Sequence, residues 1–136
     1  MLAVQVPDNF SAPAYRLVRE TMALEPWATT LAGVRMGDQI LDPETYVELL
    51  RPFSAVVDIW QTTYYQLLGG PDAVLDWLRG TTLLPVRAAL GAKSPATEGF
   101  EQALAGRLRE AYPPDDAGGT VFPFRRLFFV AAGTSG

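Results

Sequence analysis

Apolar residues recur along this chain at two spacings, and the changes between them mark its elements. Leu2 to Val6 (LAVQV) is an almost continuous apolar run, broken only by Gln5, which is the pattern of a buried strand. Pro7-Asp8-Asn9 is turn chemistry and ends it. From Ser11 to Leu24 the positions Tyr15, Val18 and Met22 form a stripe at helical spacing, with Pro13 suited to the first turn. A second short helix is predicted from Pro26 to Leu31, carrying Trp27, and Gly33 to Ile40 reads as loop or a short extended piece. Asp42-Pro43-Glu44 is a helix start, with Asp42 as N-cap, Pro43 in the first position and Glu44 favourable toward the dipole. Tyr46, Leu49 and Leu50 are its expected buried face, and Pro52 ends it.

The spacing then changes. Ala55 to Leu68 is dense in β-branched and aromatic residues and predicts a strand. Gly69 and Gly70 end it, Pro71 is placed as a first helical residue, Val74, Leu75 and Leu78 give an apolar helical face, and Gly80 stops the helix. Helical character resumes from Leu83 to Leu90 past Pro85, and Gly91 to Ser94 is loop. Ser94-Pro95 opens a helix that buries Phe100, Leu104 and Leu108 and leaves Glu101, Arg107, Arg109 and Glu110 on its solvated side; Tyr112-Pro113-Pro114 ends it. Asp115 to Gly119 is a turn, Thr120 to Ala132 a strand, and Gly133 to Gly136 a frayed tail. Strand, helices, strand, helices, strand is an α/β or α+β order.

Composition narrows the chemistry. A chain of 136 residues with 49% hydrophobic content suits a single domain over residues 1–136 with a core of its own. A net charge of −4 argues against nucleic acid as a partner. No apolar run is long enough to span a membrane, and Met1 to Pro7 lacks the basic region of a signal peptide, so a cytoplasmic protein is the expectation. With no cysteine and no histidine, disulfides, thiolate catalysis, histidine triads and most zinc sites are excluded. Ten arginines stand against one lysine, Lys93. Arginine recognises carboxylates and phosphates through its planar fork, although a GC-rich coding sequence raises arginine content equally well.

Three pieces of the chain together resemble a known family. VQVPDNF, VVDIWQTTYYQLL followed by VLDWLRGTTLLPV, and RLREAYP followed by TVFPFRRLFFVA are similar to the C-terminal half of trans-aconitate 2-methyltransferases. The resemblance implies S-adenosylmethionine-dependent methyl transfer to a carboxylate of a small polycarboxylic acid, on a Rossmann-like class I methyltransferase fold. It also implies a partial fold: an α/β arrangement with a three-stranded mixed sheet in the order first, last, middle, a helical cap over the substrate pocket from residues 13–52, and further helices from Pro71 to Tyr112 flanking the sheet. The family's glycine-rich turn and acidic ribose partner have no counterpart here, since Gly69-Gly70 and Gly118-Gly119 are isolated. S-adenosylmethionine is therefore the cofactor of the full-length family and is not expected to bind this chain alone.

A carboxylate acceptor is already an anion at neutral pH, so this chemistry needs neither a catalytic acid–base residue nor a metal; it needs alignment and a clamp for carboxylates. With ligands placed outside the carboxyl ends of the parallel strands, the resemblance implies Asp8 and Asn9 on the cofactor side. The substrate set is Trp60, Tyr64, Arg125, Arg79 and Thr81. Structural roles compete for several of these. Arg79 also complements a helix dipole, Trp60 and Trp77 suit a core, Asp8-Asn9 suits an Asx turn, and of Arg125 and Arg126, which point to opposite faces, at most one meets a given pocket. Two functional alternatives remain beside the first: a catalytically inactive fragment that serves as a binding or assembly module, and a methyltransferase of another small carboxylate. The uncharged edge LAVQV is further expected to pair with a second copy, giving a homodimer through residues 2–6, or to aggregate.

Overall fold

The structure is a computed structural model that describes residues 1–37 and 39–133. The expectations for the loop at Asp38 and for the tail at 134–136 lie outside the described residues. Among the described residues, three strands and six helices follow in the order β1 (Leu2–Pro7), α1 (Pro13–Met22), α2 (Ala28–Leu31), α3 (Pro43–Leu50), β2 (Ser54–Gly69), α4 (Ala73–Arg79), α5 (Leu84–Leu90), α6 (Pro95–Ala111) and β3 (Gly119–Gly133), with a 3₁₀ turn at Arg51–Phe53. Among the described residues no helix is long and apolar enough to cross a membrane.

The sheet has the order β1-β3-β2, so the last strand lies in the middle as expected. It is antiparallel rather than mixed. β1 pairs antiparallel with β3 from Leu2↔Ala131 to Pro7↔Arg126. With β3 inserted between β1 and β2, no two strands of the same direction are neighbours. β1 is also not the buried strand its composition suggested. None of its residues is buried, and Leu2 is 47% exposed, because it forms an edge with one side unpaired.

The chain divides into two compact units. The first holds Met1–Asn9, Gln39–Tyr65 and the chain from Pro123 onward. Its apolar contacts centre on Leu127, Phe129 and Ala131 of β3, with Tyr46 of α3 stacked on Phe129 at 5.1 Å. α3 starts as its sequence dictates: the Asp42 carboxylate accepts hydrogen bonds from Thr45 N and Oγ1, both at 2.8 Å. Its expected buried face does not form. No residue of α3 is buried and Leu49 is 55% exposed, the helix docking through the Tyr46 ring instead.

The second unit, Phe10 to residue 38 and Gln66–Phe122, is built on α6. Phe100, Leu104 and Leu108 are buried as the spacing predicts, and α1 packs along this helix. Ser94 caps α6 by accepting from Thr97 N, and the preceding turn is closed at Gly91, whose φ of +96° is open to glycine at little cost. Trp27 meets Phe100 edge-on at 5.6 Å and donates to Ala96 O. It sits at the N-cap of α2 rather than inside a helix. The Tyr112 ring packs on Phe122, and its hydroxyl accepts the free Ala14 N–H at the start of α1, one of the amide donors that a helix leaves unsatisfied. Burial pushes the Tyr112 phenol up, and that of Tyr15 as well. Pro71 lies two residues further out than expected: Ala73 is the first residue of α4 and Asp72 its N-cap position. The Asp72 carboxylate does not cap the helix but receives Arg109 Nε and Nη2 at 2.8 and 3.1 Å.

The Asp42 cap carries a pH signature. The backbone hydrogen bond from Thr45, then that from its hydroxyl, hold the Asp42 carboxyl below its ordinary value. A depressed folded pKa means that the cap contributes above the ordinary aspartate value of about 3.9 and is lost as pH falls through the lower folded value. The protection factor of the Thr45 amide is expected to be constant from neutral pH to about pH 4 and to fall as pH drops below that value. Equal protection down to strongly acidic pH would show that the carboxylate is not the cap.

Candidate functional site

The candidate residues fall into two clusters, one in each unit. The first is a knot at the end of β1. Asp8 N donates to Arg125 O at 2.9 Å and continues the β1–β3 ladder by one rung. At that point the Asn9 side chain takes over from the main chain. Its Oδ1 accepts Arg125 N at 2.8 Å and its Nδ2 donates to Arg125 O at 3.0 Å, so the amide clamps the backbone of β3 as a peptide of a neighbouring strand would. Asn9 is 7% exposed, and such a doubly bonded amide removes the cost of burying it. The Asp8 carboxylate draws the other strands in. Arg125 Nε lies 2.9 Å from Oδ2, and Gln61 Nε2 of β2 donates to the same oxygen at 2.8 Å. One carboxylate thereby ties the end of β1 to both β3 and β2.

Asp8, Asn9 and Arg125 are thus brought together, and their contacts with each other are specific. The pair Asp8-Asn9 is not an Asx turn, since both side chains reach across the chain to Arg125 of β3. Trp60 and Tyr64 are not part of the knot. They point to the face of β2 opposite Gln61, where the Trp60 ring lies parallel to Phe128 at 5.4 Å. Both are about 45% exposed. Gln61 was missed in the sequence, although a polar residue inside a dense β run was the available signal.

The second cluster holds Arg79 and belongs to the other unit. Arg79 Nε and Nη2 both donate to Glu101 Oε2, at 3.0 and 2.9 Å, and Nη1 donates to Asp76 Oδ1 at 2.5 Å. The hydrogen bond to Glu101 and the charges of Glu101 and Asp76 raise the guanidinium pKa against the opposing effect of burial. Glu101 is the correction here: placed on the solvated side of α6 by the sequence reading, it is 8% exposed. The wide buried stripe Thr97, Phe100, Glu101, Leu104, Ala105, Leu108 contains it, and its i+4 relation to Thr97 was the legible sign. Its Oε1 faces Arg87 Nε at 3.5 Å without a hydrogen bond. Thr81 is exposed, with Oγ1 on Trp77 O at 3.4 Å. Along α4 and α6 runs a groove of about 280 Å³ lined by Arg79, Arg109, Asp72, Glu98 and Gln102 among others, its arginines already facing carboxylates. Among the described residues no cluster of acidic side chains is arranged to hold a metal ion.

Removing Arg79 leaves the Glu101 carboxylate buried beside Arg87 alone. An uncompensated buried charge costs about 3–5 kcal/mol, and because Arg79 keeps 39% of its side chain exposed the low end or less, about 2–3 kcal/mol, is expected for Arg79→Met. Urea unfolding measures it. The double variant Arg79→Met/Glu101→Leu should recover most of the loss, since no charge is then stranded. A single variant as stable as the parent chain would show that Glu101 does not depend on Arg79.

No family model matches the chain. Individual curated proteins do. A trans-aconitate 2-methyltransferase of Streptomyces coelicolor is 50% identical over 131 residues, covering 96% of this chain and 43% of that enzyme. One of Rhodococcus jostii is 46% identical over 132 residues, covering 96% of the chain and 51% of the enzyme. One of Mycobacterium tuberculosis is 43% identical over 132 residues, with shares of 96% and 50%. The chain spans about half the length of the curated relatives it matches, and over nearly all of its own length it is similar to trans-aconitate 2-methyltransferases.

Proposed function

We propose that this chain supplies the substrate-handling part of a cytoplasmic methyltransferase that moves a methyl group from S-adenosylmethionine to a carboxylate of a small polycarboxylic acid. The single observation that carries this reading is the identity of 43–50% across 96% of the chain to enzymes so named. The chemistry agrees with the residues present. An ionised carboxylate is its own nucleophile, so a chain without histidine or cysteine lacks nothing it needs, and the protein's task is to orient the acceptor and exclude misaligned poses.

The residues do not fit the cofactor itself. At the end of β1 both atoms of the Asn9 amide are bound to the Arg125 backbone, and the Asp8 carboxylate holds Arg125 and Gln61. Among the described residues, no buried side-chain acceptor waits there for a ribose or an ammonium group. A second reading follows from this disagreement: by itself the chain is a binding or assembly module, active only with the part of its relatives that it does not match. Calorimetric titration of the isolated chain with S-adenosylmethionine is expected to give no binding, and micromolar affinity would overturn that expectation. Joined to the unmatched part of the Streptomyces coelicolor enzyme, the chain should yield a methyl ester of trans-aconitate; a folded joined protein with no ester would remove the reading.

Self-pairing through β1 belongs to the same proposal. Asp8 N bonds to β3, so by alternation the N–H groups of Ala3 and Gln5 point away from it, and no charge or proline interrupts Leu2 to Val6. Light scattering at tens of micromolar is expected to show a dimer or larger species. A monomer with slowly exchanging Ala3 and Gln5 amides would mean that another segment covers this edge.

A further inference from the structure

We propose that Arg125 is the carboxylate-binding fork of this chain and that Gln61 is its positioning residue. The inference rests on reading the chain as the substrate-handling part of a carboxylate methyltransferase, and it distinguishes between Arg79 and Arg125, the two arginines that the sequence placed in the substrate set. Arg79, Arg87 and Arg109 each face an acidic side chain of their own unit, and Arg79 donates from all three of its nitrogens. Arg125 differs. Only its Nε is engaged, by the Asp8 carboxylate at 2.9 Å and the Asp8 carbonyl at 3.2 Å. Nη1 and Nη2 have no partner among the described residues, and neither is sealed from solvent. The side chain is 40% exposed.

An arginine held by Nε alone presents the edge made by its two terminal amino groups, and one of these together with its neighbour donates two parallel hydrogen bonds to a carboxylate. Asp8 fixes where that edge points. Its own orientation is set by Gln61, which donates to the oxygen that also meets Arg125, and by its place beside Asn9, whose amide locks the Arg125 backbone. The guanidinium is therefore anchored at both ends of its side chain, which lowers the rotamer entropy that capture of a ligand would otherwise cost. The Asp8 charge also offsets part of the long-range attraction for an anion. What remains is short-range geometry, which favours a planar carboxylate over a spherical anion of equal charge.

Arg126 is the competitor. It lies on the opposite side of β3 with its guanidinium over the Phe124 ring at 5.2 Å. A cation–π contact holds it near its own neighbour but gives its nitrogens no carboxylate anchor.

The test titrates the chain with trans-aconitate, with chloride and with the neutral trimethyl ester of trans-aconitate, following the arginine Nε–H resonances. Saturable binding of trans-aconitate that moves the Arg125 signal is expected, with weaker binding of chloride and none of the ester. Losing a charge-assisted pair should weaken binding about 10- to 100-fold in Arg125→Met. Arg125→Lys keeps the ion pair with Asp8 and so guards against misfolding, yet it should still lose about tenfold because a point charge replaces the fork. Gln61→Leu should weaken binding by a smaller factor, rescued in part by Gln61→Asn, whereas Arg126→Met should leave it unchanged. Absence of saturable binding, unchanged affinity in both Arg125 variants, or a loss in Arg126→Met equal to that in Arg125→Met would overturn the proposal. In the joined protein the two readings separate. Methyl ester formation with an unchanged KM in Arg125→Met sinks the fork alone, while Arg125-dependent binding without any methyl ester sinks the enzymatic reading alone.

Discussion

β3 is hydrogen-bonded on both sides, and the rest of the structure depends on that position. As the middle strand it must satisfy two ladders at once and bury its side chains as well. Its residues supply core to both compact units: Phe122 to the helical one, under Trp77 and Tyr112, and Phe129 to the other, under Tyr46. Buried residues alternate at each end of the strand, on Thr120, Phe122 and Phe124 and then on Leu127, Phe129 and Ala131. The phase changes across Arg125-Arg126, two successive positions neither of which is buried. Charged residues are tolerated in the central strand at this point because it is where no single face is closed.

The ladder on the β1 side ends at the same place. β1 runs out at Pro7, and the main chain makes one more bond from Asp8. The Asn9 side chain then closes the Arg125 backbone pair, so the central strand does not leave an unsatisfied amide where β1 departs. A binding residue set on such a backbone inherits its rigidity. The physical argument for Arg125 as a ligand group is therefore one of positioning as much as of charge.

The arginines show how one chemistry serves two purposes. Near Glu101 the carboxylate is enclosed and needs its cations; a buried acid 8% exposed without them would be strongly unfavourable, so Arg79 is first of all a structural partner. Near Asp8 the carboxylate is met by one guanidinium nitrogen and one amide, and the remaining arginine donors stay available. The two acids are almost equally enclosed, their side chains 11% and 13% exposed, so the difference lies in how many arginine nitrogens are engaged: all three of Arg79 and one of Arg125.

Local chemistry in the sequence was enough for several features, because each depends on neighbours within a few residues. The caps at Asp42 and Ser94, the helix-stopping Gly80, the buried spacing of Phe100, Leu104 and Leu108, and the strand density of 55–68 and 120–132 are of this kind. The order of the strands and the match to methyltransferases came through whole segments such as DIWQTTYY and FPFRRLFFVA, whose combined pattern no single periodicity contains. Tertiary structure alone decided three things. It exposed β1, since an apolar run reads the same at an edge as in a centre. It buried Glu101, because burial of a helix face is set by what packs against it, and Arg79 and Arg87 arrive from other helices. It joined Asp8, Asn9 and Gln61 to Arg125 across as many as 117 residues, a convergence that side-chain chemistry permits but that only the strand order brings about.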